Sequence, residues 1–265
     1  MSEDHVLYTK ENGIGIVTLN RPEKLNAMTH AMLHRIHLLI EEIKQDDEVR
    51  AVILTANGRA FSAGTDISDD AKPPPEADVF AARMKTSTAS RATTWFFNDI
   101  PKPVIAAING VAVGVGSELI LHCDIRIAAE SARFGQVFVL RGIVPDTAAG
   151  TYLLPRLVGM SKACELIFSG EIIDAREMLR IGLVSQVVPD DELMNAARAM
   201  AAKVSVGAPL AVRMCKQLLY MGLERTMESH QVTSRSYLET CFKTEDFKEG
   251  IESFFEKRPP RWQGR

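Results

Sequence analysis

Two stretches of this 265-residue chain follow one local design, and that design restricts the fold more than any other feature. Residues 51–67, AVILTANGRAFSAGTDI, run a short apolar strand into a loop of small residues, Ser62-Ala63-Gly64-Thr65. Residues 103–120, PVIAAINGVAVGVGSELI, run a second buried strand into Gly110, Gly114 and Gly116, and then into a helix. Small residues let the backbone approach a ligand closely, and free N–H groups at a helix start attract developing negative charge. Two such loops facing each other would form an oxyanion hole for a carbonyl. Each loop alone is a weak signal, since loops of this kind more often serve only as turns.

The surrounding chain alternates strand and helix in its first half. Val6–Lys10 and Gly13–Leu19 are rich in β-branched residues and flank a Glu11-Asn12-Gly13 hairpin signal. Thr29 is placed to cap a helix running to about Asp46, with Leu33, Ile36, Ile40 and Ile43 on one face. A helix is expected over Glu76–Asn98, after the stiff Pro73-Pro74-Pro75 loop, and a short one over Gly116–His122 before a strand at Ile125–Ala128. Helices dominate from Thr147 onward. Asp190–Val206, Pro209–Met221, Arg225–Phe242 and Glu245–Lys257 are the candidates, broken at Gly207-Ala208-Pro209 and Gly222. The reading is an α/β core over residues 1–190 and a C-terminal helical region over 191–265 that caps the core or joins subunits.

Composition narrows the function. A net charge of −3 offers no basic field for nucleic acid or an anionic membrane. No apolar run approaches the roughly 20 residues that span a bilayer, and MSEDHVLYTK does not read as a signal peptide. The four cysteines are widely spaced without a CxxC pair, which suggests a reducing, cytoplasmic setting and no cysteine-based metal site. His30, His34 and His37 share a helical stripe with Glu41; a solvated helix face accounts for them better than a metal centre. His122 reads as a packed histidine. Ser62 and Ser117 lack a nucleophile elbow. The glycines fail the dinucleotide fingerprint, because Leu119 stands where the third glycine belongs.

FSAGTDI, PVIAAINGVAVGVGSELILHCDIRIAAESARFGQ and IVPDTAAGTYLLPRLVG together resemble the crotonase (enoyl-CoA hydratase/isomerase) superfamily. The likeness extends from LNRPEKLNAM to EDFKEGIESFFEKRPP, nearly the whole chain. It implies an α/β fold, a spiral of ββα turns with a C-terminal helical trimerisation region, assembled as a homotrimer or homohexamer. The implied substrate is an acyl-CoA thioester, with no cofactor beyond the coenzyme A of the substrate. By motif position, the backbone N–H groups of Thr65 and Val115 would hold the thioester oxygen. Ala63, Asp66 and Ile67 fall where the family holds CoA, and Phe254 and Lys257 where relatives approach its adenine and 3′-phosphate.

Family hydratases use two glutamates, and Glu118 matches the first. Phe138 occupies the place of the second, and a phenyl ring can neither orient nor deprotonate water. Asp146, in a Pro-Asp turn, matches the acid that shuttles a proton in double-bond isomerases. The resemblance therefore implies an unsaturated acyl-CoA isomerised by Glu118 and Asp146. Hydration despite Phe138 is the alternative, followed by hydrolytic or dehalogenating chemistry and by a non-catalytic acyl-CoA binder. The simpler roles are a helix cap for Asp146 and an ion pair with Arg126 or Arg141 for Glu118. Tyr152, Trp95, Phe96 and Phe97 are candidates for an acyl pocket, with core packing as the default.

Overall fold

A computed structural model describes residues 5–67, 96–145 and 147–265. Strands β1 (Val6–Glu11) and β2 (Ile14–Leu19) form the expected hairpin, with Asn12 and Gly13 both at positive φ (49° and 76°), as a two-residue turn of matching twist requires. Helix α1 (His30–Gln45) starts where Thr29 accepts a hydrogen bond from the Met32 N–H. Its buried stripe is Met32, Ile36, Leu39, Ile40 and Ile43, while Leu33 is only partly covered.

The chain then climbs in a spiral. Strand β3 (Ala51–Ala56) enters a six-stranded sheet and β4 (Ala60–Ser62) a four-stranded one. The pairs β5 (Val104–Ile108) with β6 (Val111–Val113), and β7 (Ile125–Ala129) with β8 (Arg133–Gly135), repeat that step. Strands β9 (Ile172–Asp174) and β10 (Gln186–Val188) complete the two sheets. Parallel pairing runs β2–β3–β5–β7–β10 in the larger sheet and β4–β6–β8 in the smaller. Every residue of β3 and β5 is buried, as a strand covered on both faces demands.

Among the described residues, helix α2 (Val115–Leu121) follows β6, and α3 (Leu154–Val158), α4 (Met160–Ser169) and α5 (Ala175–Arg180) follow the small sheet. A large apolar cluster fills the space between the sheets and α1; a second lies on the other face of the large sheet under α6 (Leu193–Val204). The expected helix at Glu76–Asn98 falls outside the described residues except at its end, where Phe96–Asp99 form a 3-10 turn.

Helices α7 (Pro209–Met221), α8 (Met227–Cys241) and α9 (Glu245–Glu256) follow the expected breaks. A buried polar latch fastens α7 to the core. Lys216, 8% exposed, donates to Asp124 Oδ2 at 2.7 Å and to the Lys102 carbonyl at 3.0 Å. Asp124 also accepts from Tyr220 Oη and from the Val104 N–H, each at 2.8 Å. Burial and the adjoining Asp124 push the Tyr220 hydroxyl pKa upward. Removing one partner of a buried pair strands the other's charge. Asp124→Ala is therefore expected to cost roughly 3 kcal/mol in urea unfolding, whereas a loss below about 0.5 kcal/mol would show that α7 docks by apolar packing.

Candidate active site

Because β4 and β6 run parallel side by side, the loops that follow them leave the same end of the small sheet. Gly64 (φ 97°) and Gly114 (φ 55°) bring the two backbones into contact: a Cβ on Gly114 would lie 3.3 Å from the Gly64 Cα. A Cβ on Gly116 would lie 2.6 Å from Ser62 Cβ and 2.8 Å from the Ser62 carbonyl oxygen. Packing thus requires glycine at position 116, while positive φ and close contact favour it at positions 64 and 114. Ser62 itself is buried and donates to the Asn26 carbonyl, a structural duty.

Thr65 forms a parallel bridge with Met28. The Met28 N–H bonds the Gly64 carbonyl and the Asp66 N–H bonds the Met28 carbonyl. In a parallel ladder this turns the N–H of Thr65 itself to the opposite side. Val115 opens α2, where a first-turn N–H has no intrahelical acceptor. The two expected loops are therefore brought together.

Glu118, one turn into α2, is 0% exposed and carries several donors. The Gly150 N–H (2.9 Å) and Gln136 Nε2 (3.0 Å) donate to Oε1, and the Thr147 hydroxyl makes a short hydrogen bond to Oε2. Gln136 Nε2 also reaches Ser117 Oγ at 3.0 Å, and Ser117 donates to the Gly114 carbonyl at 2.6 Å. One chain of hydrogen bonds thus ties the carboxylate to the glycine loop. His122 Nε2 lies 3.3 Å from Thr147 Oγ1, and burial pushes the imidazole pKa down to about 3. Gly150 has no room for a side chain, since a Cβ would stand 2.7 Å from Glu118 Oε1. The Gly150 N–H arrives through a π-helical turn (Ala149–Leu153) after Ala148, a non-glycine residue at φ 64°. Such strained turns recur at functional sites.

Arg126 gives its guanidinium to the carbonyls of Ile120, Cys123, Asp124 and Leu183, and Arg141 bonds the Val137 carbonyl at an exposed position. His122 is more than a packed side chain, because it reaches the hydroxyl that holds Glu118. The sequence reading passed over Thr147, Gln136 and Gly150. Gln136 sits in the quoted FGQ run, the only signal that pointed to it.

Phe138 is 6% exposed in a 3-10 turn (Val137–Arg141) that packs against α4, and it counts among the buried apolar residues. Ala63, Thr65 and Ile67 are exposed, Ile67 by 89%. Asp66 is committed to Arg21, whose Nη1 lies 2.5 Å from its Oδ2. Phe254 and Lys257 lie at the end of α9, with Phe254 edge-on to Phe255 at 5.8 Å between ring centroids. Phe97 is core, and the Tyr152 hydroxyl turns to Glu224. Asp146 and Trp95 lie outside the described residues. Among those residues, His30, His34 and His37 belong to no metal-ligating cluster, and no helix is long and apolar enough to cross a membrane.

A buried carboxylate fixed by neutral donors thus stands beside two touching glycine loops, an arrangement suited to acid–base chemistry next to free backbone N–H groups. Comparison with known proteins supplies the family. Residues 9–265 match the enoyl-CoA hydratase/isomerase family. The chain is 42% identical over 259 residues to the short-chain-enoyl-CoA hydratase of Clostridium acetobutylicum, covering 97% of each. It is 37% identical to the 2,3-dehydroadipyl-CoA hydratase of Escherichia coli over the full length of both. An enoyl-CoA hydratase structure from Bacillus anthracis superposes with a TM-score of 0.88 at 35% identity, over 98% of this chain and 100% of that one. The chain belongs to this family, the crotonase superfamily, and is an acyl-CoA enzyme of hydratase or isomerase type.

Two outcomes follow from this geometry. Gly116→Ala forces α2 away from β4 and is expected to lower kcat/KM by about 100-fold in steady-state assays, since a shift near 1 Å suffices for that loss. The folded-state pKa of His122 lies below its unfolded value, so the stability it contributes is present above about pH 6.5 and is lost as pH falls toward about 3. Wild type should therefore lose stability relative to His122→Gln across that window, by up to about 1.4 kcal/mol per pH unit, read by urea titrations.

Proposed function

We propose that the protein shifts a carbon–carbon double bond of an unsaturated acyl-CoA through a thioester enolate. The observation that supports this reading is a fully buried, hydrogen-bonded Glu118 in a chain whose residue 138 is a buried phenylalanine and not an acid. Family hydratases, by the resemblance stated above, place their second glutamate at the position of Phe138. In the proposed reaction the Thr65 and Val115 N–H groups receive the thioester oxygen. Glu118 takes a proton from the carbon between the thioester and the double bond; that C–H pair becomes a double bond to the thioester carbon, the carbonyl π pair moves to the thioester oxygen, and a dienolate forms. Asp146, the neighbour of Thr147 in sequence, returns a proton at the other carbon. No cofactor enters, because coenzyme A is part of the substrate.

Ala63, Asp66 and Ile67 are the proposed CoA-binding positions, joined by Phe254 and Lys257 from a neighbouring copy. Exposed apolar residues on the last helices, among them Met227, Val232, Phe242 and Phe255, support assembly as a homotrimer or homohexamer. An apolar cleft of about 270 Å³ between α7 and α9, lined also by Trp262, adds to that surface. Four unpaired thiols fit a cytoplasmic setting.

Several relatives are named as hydratases, which favours a second reading, hydration. One experiment separates the two. Incubated with a 3-enoyl-CoA, the protein is expected to generate conjugated thioester absorbance at unchanged mass, and Glu118→Gln is expected to lower that rate by about 10²–10⁴. Addition of one water to a trans-2-enoyl-CoA, with loss of conjugation, would establish the hydratase instead.

A further inference from the structure

The donors around Thr147 define the direction of every hydrogen bond in the chain that ends on Glu118. A threonine hydroxyl has one proton to give and two lone pairs to fill. Thr147 gives its proton to Glu118 Oε2, which as a carboxylate can only accept. One lone pair receives the Ala149 N–H at 3.2 Å. The remaining lone pair faces His122 Nε2 at 3.3 Å, which satisfies the oxygen only if that nitrogen carries a hydrogen. The opposite tautomer would set two lone pairs against each other.

We infer that Thr147 and His122 are positioning residues that hold Glu118 ionised and in register, through a one-way chain from His122 Nε2–H to Thr147 Oγ1–H to Glu118 Oε2. The inference deepens the proposed function and rests on Glu118 being its base. A donor already receiving a hydrogen bond is itself a stronger donor, so the histidine strengthens the bond that Thr147 makes. Hydrogen bonds to the charged form lower a carboxyl pKa against the opposing effect of burial. The imidazole, neutral until about pH 3, is a poor acceptor for a proton from a carboxyl group, whose ordinary pKa is near 4.3. The chain therefore supplies polarisation to Glu118 and is no exit route for its proton.

Among the described residues, the elements in closest contact with α2 carry few other titrating groups. Strands β4 and β6 and the Ala149–Leu153 turn pack on α2, and of these only the turn carries an ionisable residue, Tyr152, whose hydroxyl is turned to Glu224. On and beside α2 itself stand His122, Cys123, whose thiol burial pushes upward in pKa, and Asp124 in the α7 latch. Arg126 is engaged by backbone carbonyls. Asp146 adjoins Thr147 in sequence.

The test compares wild type, Thr147→Val, Thr147→Ser and His122→Leu. Exchange of the α-proton of butyryl-CoA in deuterated buffer reads enolisation directly, whether the full reaction is isomerisation or hydration. For Thr147→Val the acid limb of the exchange rate is expected to move up by about one pH unit, as loss of one donor to a charged group implies. The rate constant should fall at least tenfold with KM changed by less than threefold. Thr147→Ser should restore both, and His122→Leu should move the limb in the same direction by less. Separately, the Glu118 carboxyl is titrated by 13C NMR in labelled protein, assigned by its loss in Glu118→Gln. A higher pKa in Thr147→Val than in wild type is expected. An equal pKa in the two would overturn the inference whatever the activity. Absence of 3-enoyl-CoA isomerisation in wild type, with the carboxyl shift intact, would remove the proposed function and leave the hydrogen-bond chain standing.

Discussion

The parallel pairing of β4 with β6 is the constraint on which the rest of the site depends. It sends two loops off the same end of one small sheet, and only then can Gly64 and Gly114 touch. That contact in turn fixes where α2 begins, hence where Val115 points its N–H and how deep Glu118 lies. Gly116 carries the same constraint one step further, because its missing side chain lets α2 rest on Ser62. A sheet of three-residue strands is weak by itself. Here it is held by the larger sheet, since each strand of the small sheet from β4 to β8 is the continuation of a buried strand in the other.

Much of this was legible in the sequence, for reasons that differ by element. The strands β3 and β5 announced themselves as continuous apolar runs, and α1 by its cap and its stripe. Glu118 was legible because it follows a glycine loop by a fixed number of residues, so motif and geometry coincide. The strands β6, β8, β9 and β10 were not, since three residues are too few to display a period of two. The partners of Glu118 were invisible for another reason. Gln136 and Thr147 lie 18 and 29 positions away, and reach the carboxylate only because β8 and the turn through Ala148 bring them back. His122 looked like core because it is core by burial, and only the direction of its Nε2 distinguishes it.

By the resemblance to the family, Phe138 stands where a hydratase has its second acid. Its ring is buried, 6% exposed, in the Val137–Arg141 turn, which packs against α4. A dry wall raises the cost of any unpaired charge nearby. The more water the site excludes, the more Glu118 relies on donors fixed by the fold, and the Gly150, Gln136 and Thr147 bonds supply them.

That arrangement has a consequence for charge in the proposed reaction. Before proton transfer the negative charge sits on Glu118, held by two side-chain donors and one backbone N–H. After transfer it sits on the thioester oxygen, held by the backbone donors at Thr65 and Val115, while Glu118 is neutral. The charge moves, and its total does not change, so no second buried anion arises at the moment the enolate forms. Neutral donors suit such a shuttle better than a protonated imidazole would. A cation one hydroxyl away from Glu118 would hold the charge where it started and weaken the base. Burial of His122 prevents that: it keeps the imidazole uncharged while leaving its N–H to polarise Thr147. The same apolar packing that makes His122 look structural is thus what lets Glu118 be both ordered and basic.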